Sequence, residues 1–321
     1  MGRAVNLVVS CSNRKRYETA PGLAARKLAG SDVEMRLKAW TERLRNVPAE
    51  SHPAQDLYMG EHWSVVRNIP PEAKEQGWDI RLWICSAGYG LIQPGTRIKS
   101  YQATFAVGAT DSVTPGARDF GAAQSWWKGA CSYAFSGEHR FPRSFAALAL
   151  SYPRTPLIVA LSADYLNAVE HDLLKVLEHK FFQRYLSIIS CGMGNNHRHW
   201  KQNLLPCNGQ LSAPLGGTLT SLNARVARFL FSVPADSEPT VDHLSDLVRS
   251  IESQTKVPLS RAPQSDLEVA RFIQTRLTKT PPASKTKLLE ELRAGGKACE
   301  QKRFGELYKR LRWGAQPEIH G

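Results

Sequence analysis

Four short apolar runs punctuate the chain: Val5–Val9, Ile80–Cys85, Leu157–Leu161 and Tyr185–Cys191. Each is rich in Val, Ile or Leu and stops at small or turn-forming residues, the pattern of a buried strand. Between and after them, apolar positions recur every three to four residues over Leu23–Leu28, Glu34–Leu44, Leu57–Val66, Tyr165–Phe182 and Ser221–Phe231. That spacing puts them on one side of a helix. Strands alternating with helices predict an α/β domain over 1–233, with a largely parallel central sheet flanked by helices. In such a sheet the ligand crevice lies beyond the carboxyl ends of the strands.

Two stretches depart from this alternation. Residues 106–155 mix Gly, Pro and aromatics and read as an insertion with one helix near 121–134. Past Val233 the sequence PADSEPT reads as a linker to a small helical domain over 240–321. That domain has helical patterns at 240–253, 264–278, Lys285–Ala294 and Cys299–Leu311, with Gly295 and Gly296 between the last two.

Composition adds a partner class. The 321 residues carry 42 Lys and Arg against 29 Asp and Glu, a net charge of +13. The excess gathers at the start, including Arg14, Lys15 and Arg16, and near the end, including Lys302 and Arg303. Such a surplus favours a polyanion, because phosphate contacts and counterion release drive nucleic-acid binding. No apolar run reaches the ~18 residues that span a bilayer. The opening stretch turns basic after its apolar run, the reverse of a signal peptide, so a cytoplasmic location without membrane attachment is expected. Six scattered cysteines without a CxxC pair predict neither a disulfide framework nor a metal site.

Four segments carry candidate chemistry. After the first strand, VVSCSNRKR offers Ser10, Ser12 and Asn13 as hydrogen-bonding groups and Arg14, Lys15 and Arg16 as cations, suited to an anion or a base edge. Cys11 lies among them without a sequence-fixed partner base. After the second strand, CSAGYG lets the backbone approach a ligand at Ser86, Gly88 and Gly90. Tyr89 there, and Tyr101 in SYQATF, are candidate stacking walls for a base or packed core residues. In PAQDLY, Asp56 is a helix N-cap or a carboxylate at the crevice. Lastly, residues 190–226 combine Asn195, Asn196, His197 and His199 with Gly216 and Gly217, a tight turn or a phosphate cradle.

Taken in order, SCSNRK, QDLY, CSAGYGLI with SYQATF, ADYLNAV and APLGGTLTSLNARV resemble a bacterial α/β family over residues 5–231. That family is related to the uracil-DNA-glycosylase-like domain of archaeosine synthase and, more distantly, to the peroxide-stress protein YaaA. Its Ser-Cys-Ser stretch matches Ser10–Ser12, its Asp-Leu-Tyr matches Asp56–Tyr58, and its Ser-Ala-x-Tyr-Gly matches Ser86–Gly90. The 106–155 segment and the basic tail depart from the short members. They resemble the anti-phage DNA glycosylases of bacterial defence loci, which excise glucosylated hydroxymethylcytosine and leave abasic sites.

The resemblance implies a glycosylase that needs no cofactor or metal. It would evert a nucleotide and break the N-glycosidic bond through a cationic sugar transition state. The expected roles follow. Asp56, or Asn13 through a water, acts at the sugar; Ser10, Ser12 and Ser86 line the base; Tyr89 and Tyr101 wall it. Arg14, Lys15, Arg16, His197, His199, Lys302 and Arg303 hold DNA. A tRNA-base transferase or lyase of the archaeosine type, and a non-catalytic DNA-binding sensor, are the alternatives.

Overall fold

A computed structural model describes residues 2–116, 119–133, 141–191, 199–254, 262–279 and 284–312. In chain order the first part runs β1 (Arg3–Ser10), α1 (Val33–Asn46), β2 (Ser51–Pro53), α2 (Ala54–Leu57), α3 (Glu61–Glu75) and β3 (Trp78–Ser86). Next come β4 (Gly90–Ile92), β5 (Arg97–Lys99), α4 (Phe120–Ser132), α5 (Phe145–Ser151), β6 (Leu157–Ala160), α6 (Ala163–Leu177) and α7 (Lys180–Tyr185). The rest is β7 (Leu186–Ile189), α8 (Ser212–Leu215), α9 (Leu222–Leu230), α10 (Val241–Gln254), β8 (Ala262–Pro263), α11 (Asp266–Lys279), α12 (Lys285–Ala294), β9 (Lys297–Ala298) and α13 (Gln301–Arg312).

The main sheet has the order β4-β3-β1-β6-β7, with every pairing parallel except β3–β4. All four runs therefore lie in strands, and they are largely apolar because helices cover both faces; the buried Asn6 among them accepts from the Trp83 indole at 3.1 Å. Helices α3 and α9 pack on each other and on the sheet, and α1, α4, α5 and α6 form a second helical layer. No helix among the described residues is long and apolar enough to cross a membrane.

The 106–155 stretch is more integrated than an insertion. Its described residues hold two helices, and α4 packs on both α1 and α6. The indoles of Trp126 and Trp127 are buried, donating to Ala87 O (2.7 Å) and to Asp172 (2.9 Å). Near its start, the chain is gathered by Arg36 of α1. That buried guanidinium donates to the carbonyls of Ala25, Leu28, Gly30, Ser112 and Val113.

The boundary between compact units also lies later than the composition shift at 233–240. The chain divides after Thr255. Helix α10 belongs to the first unit because Val241, Leu244, Val248 and Ile251 join its core. The second unit has a core of its own around Val269, Ile273, Leu288, Leu292, Phe304 and Tyr308, closed by the short β8–β9 pair.

The cysteines hold one departure from expectation. Cys191, just after β7, is bonded to Cys207, and the other four are free. A parallel bridge between Ile188 and Leu204 brings the two segments side by side. Their separation in sequence follows no motif, so the pattern of residues gave no sign of it.

Candidate functional site

Because β1, β3, β6 and β7 are parallel, their carboxyl ends share one edge of the sheet, and the loop after β1 crosses it. This loop is stapled to the segment that follows α2. Arg16 N–H donates to Leu57 O and Met59 N–H to Arg14 O, both at 2.9 Å, and Lys15 and Tyr58 face each other as a β-bridge. Ser12 strengthens the staple, its hydroxyl donating to Met59 O at 2.6 Å and accepting from Arg14 N–H at 3.2 Å.

The staple puts Lys15 over a floor of tyrosines. Its Nζ lies 4.2 Å from the centroid of the Tyr101 ring and 5.6 Å from that of Tyr58, and it donates to Ser12 O at 2.9 Å. Below it the Tyr101 hydroxyl meets Tyr58 Oη at 3.0 Å and Ser86 Oγ at 2.7 Å. Next to them, Cys11 Sγ lies 3.3 Å from Tyr165 Oη, which also approaches Thr104 Oγ1 at 3.4 Å. Four of the five sequence blocks, SCSNRK, QDLY, CSAGYGLI with SYQATF, and ADYLNAV, thus meet in one cluster, while the fifth, APLGGTLTSLNARV, contributes no residue to these contacts.

Burial sets the protonation of this cluster. Desolvation lowers the Lys15 ammonium to about 8, opposed by the charges of Cys11 and Asp111. The same cause raises Tyr58, Tyr101 and Tyr165 well above the ordinary phenol value, so all three stay neutral hydrogen-bonding groups. His62, on α3, reaches the carbonyl of Ser10 at 3.1 Å and its hydroxyl at 3.4 Å. Burial lowers its pKa, which favours the neutral imidazole. Ser190, one residue past β7, keeps a buried hydroxyl with no hydrogen-bond partner among the described residues.

Several expected site residues lie elsewhere or do other work. Asp56 is exposed on α2, whose N-cap is Pro53, so it neither caps the helix nor enters the cluster. Tyr89 offers no stacking face. It is 2% exposed, and its hydroxyl is taken up by the backbone of Lys99. Tyr101 is likewise fully buried, a floor under Lys15 rather than an open wall. The Ser12 hydroxyl is consumed by the staple. Ser10 is half-buried beside His62. Asn13, Arg14 and Arg16 are exposed at the rim. His199 is exposed as well, and His197, Asn195 and Asn196 lie outside the described residues. In the second unit Lys302 is exposed, while Arg303 is paired with Asp266 at 2.5 Å.

Gly216 and Gly217 form a tight turn with φ of 68° and 74°. The turn wraps an ion pair instead of a phosphate. Arg225 Nη2 lies 2.5 Å from the Glu61 carboxylate, which also accepts from Thr218 N–H (3.1 Å) and Ser221 Oγ (3.0 Å). A Cβ at Gly217 would overlap both partners. Two features escaped the sequence reading, the burial of Lys15 and the contact of His62. Both depend on a loop folding back across the strand ends, which local periodicity does not encode.

Among the described residues no three His, Cys, Asp or Glu side chains are grouped so as to hold a metal ion. Comparison of the chain with protein-family models, curated proteins and solved structures finds no match.

Proposed function

We propose that this protein is a DNA glycosylase that excises a modified base at the carboxyl ends of β1 and β3, acting in defence against phage DNA that carries glucosylated hydroxymethylcytosine. One observation carries the reading: Lys15 is held, half-buried and with a lowered pKa, over neutral tyrosines at the strand ends. An everted base arriving on the outer side of this ammonium meets Asn13 as a hydrogen-bonding neighbour. Arg14 and Arg16 lie where they would meet the flanking phosphates. As the N-glycosidic bond breaks, the base leaves with negative charge. Lys15 is a stronger acid than an ordinary lysine and protonates or hydrogen-bonds that leaving group. With Asp56 outside the cluster, the catalytic effect falls on the departing base rather than on a carboxylate at the sugar. The net charge of +13 and the resemblance of the clustered blocks to the uracil-DNA-glycosylase-like family support the same reading.

The test is incubation of the purified protein with unmodified DNA, fully modified phage DNA and tRNA, followed by assays for released base and alkali-labile sites. Base release from modified DNA alone is the expected result. Release or exchange of a base in tRNA would instead favour a transferase or lyase. Tight DNA binding with no base released would favour a sensor.

A further inference from the structure

Strand β3 is longer than the strand that covers its outer side. It starts at Trp78, but β4 pairs with it only from Ile84 to Ser86. On the inner side β3 follows β1 in parallel from Trp78 to Cys85. The bonds from Arg3 N–H to Gly77 O and from Cys11 N–H to Cys85 O show that odd-numbered residues of β3 bond to β1. Backbone groups alternate in direction along a strand, so the even-numbered residues turn outward. Ile84 and Ser86 meet β4 there, and among the described residues no strand lies opposite Ile80 and Leu82. The sequence explains the gap. Continued pairing would set Pro94 against Leu82, and proline has no N–H to give. The chain turns away instead, with the carbonyls of Pro94 and Thr96 bonding to Gln55 and Ala54.

A cleft follows this bare edge. One part, of about 530 Å³, runs beside Ile80–Trp83. It adjoins a second, of about 570 Å³, beside Trp78–Ile80, and the two share Pro70, Pro71 and Ile80. Arg67, Lys74 and Arg81 line the walls against a single acid, Asp79. Among the described residues no carboxylate forms an ion pair with these cations. The Arg81 guanidinium rests 4.8 Å from the Tyr152 ring centroid, and Arg67 donates to the carbonyls of Tyr58 (3.2 Å) and Gln55 (3.5 Å).

We propose that this edge binds an acidic polypeptide segment in extended form, which adds a strand to the sheet alongside Ile80 and Leu82. The main-chain groups supply the pairing, and the three cations select for acidic side chains. A second copy of this chain is the poorer occupant, because two edges carrying the same arginines would face each other in a molecule of charge +13.

The probe is a fluorescein-labelled peptide alternating Glu and Val, titrated into the full chain and followed by anisotropy and by amide hydrogen exchange. Saturable binding is expected, with exchange slowed at least about tenfold at Ile80 and Leu82 and unchanged at Arg81, whose N–H already serves β1. The same peptide N-methylated at alternate residues keeps its charge and should bind at least about tenfold more weakly. Arg81→Glu should weaken binding to a similar degree. Lys74→Glu, at an exposed position, gives the same readout if Arg81→Glu disturbs folding. Equal binding of the methylated peptide, or binding that leaves Ile80 and Leu82 unprotected, would overturn the proposal. So would protection that appears with rising protein concentration alone, or that a short oligothymidine produces equally well.

Discussion

The ammonium of Lys15 stands 4.2 Å above the centre of the Tyr101 ring, joining the loop after β1 to a residue 86 positions further along the chain. This pairing does two opposed things. The ring's negative face attracts the cation, while the surrounding burial disfavours its charge and brings the pKa to about 8.

If Lys15 is the leaving-group acid, Lys15→Met should lower base release by about 10²-fold or more while the protein stays folded. Wild-type turnover should fall as pH rises through about 8. Stability moves the other way. The unfolded lysine keeps its proton to 10.5 and the folded one releases it near 8, so between those values the unfolded chain binds more protons. Wild-type stability therefore gains with pH across that window. Melting curves at pH 7 and 9 should show Lys15→Met losing part of any stability advantage as pH rises.

Gly88 should not tolerate a side chain. A Cβ there would sit 2.5 Å from Tyr101 Cε2 and 3.2 Å from Trp40 Cζ2. Gly88→Ala should cost about 1–3 kcal/mol through this overpacking, read as a fall of several degrees in Tm. Gly95→Ala, where no atom lies within 4 Å, should leave Tm unchanged.

The exposed rim should act through charge. Arg14→Gln with Arg16→Gln should weaken DNA binding and reduce the salt dependence by about two units of log–log slope, if each arginine meets a phosphate. Asp56→Ala should leave base release, binding and Tm within error of the wild type, since its carboxylate is exposed away from the cluster. A loss of base release in Asp56→Ala would count against this assignment.

Glu61 should set part of the acid limit of the fold. Arg225, with Thr218 and Ser221, holds its carboxyl down to about 2 against an ordinary 4.5. The contribution is thus complete above pH 4.5 and is lost as pH falls toward 2. The pair is partly exposed, so Glu61→Gln should cost about 1 kcal/mol at neutral pH and flatten the acid limb of a circular-dichroism titration. Gly217→Ala should mimic it by pushing the partners apart.

The main sheet was legible because a strand buried on both faces must be largely apolar, as Leu157–Leu161 is throughout and Val5–Val9 is at every position but Asn6. The edge strand β4 was not, since three residues inside CSAGYGLI look the same in a turn. For the site, the blocks singled out in the sequence come together at the strand ends, but several of their side chains lie otherwise than expected. Nothing in QDLY separates the exposed Asp56 from the buried Tyr58 two positions later. Tyr89 and Tyr101 are likewise distinguished only by which backbone or hydroxyl each reaches. Lys15 between two arginines reads as one more surface cation until the bridge to Tyr58 turns it inward. The boundary was misplaced for a related reason: PADSEPT has a linker's composition, yet the apolar face of α10 after it returns to the first core.

Arg36 ties the early part of this chain to a much later one. Its guanidinium collects carbonyls from residues 25–30 and from Ser112 and Val113, so neither group can settle without the other. During synthesis the segment around Ala25 must wait until more than eighty further residues have left the ribosome. Until then the guanidinium has the carbonyls of Ala25, Leu28 and Gly30 within reach but not those of Ser112 and Val113, so two of its five hydrogen bonds are completed late.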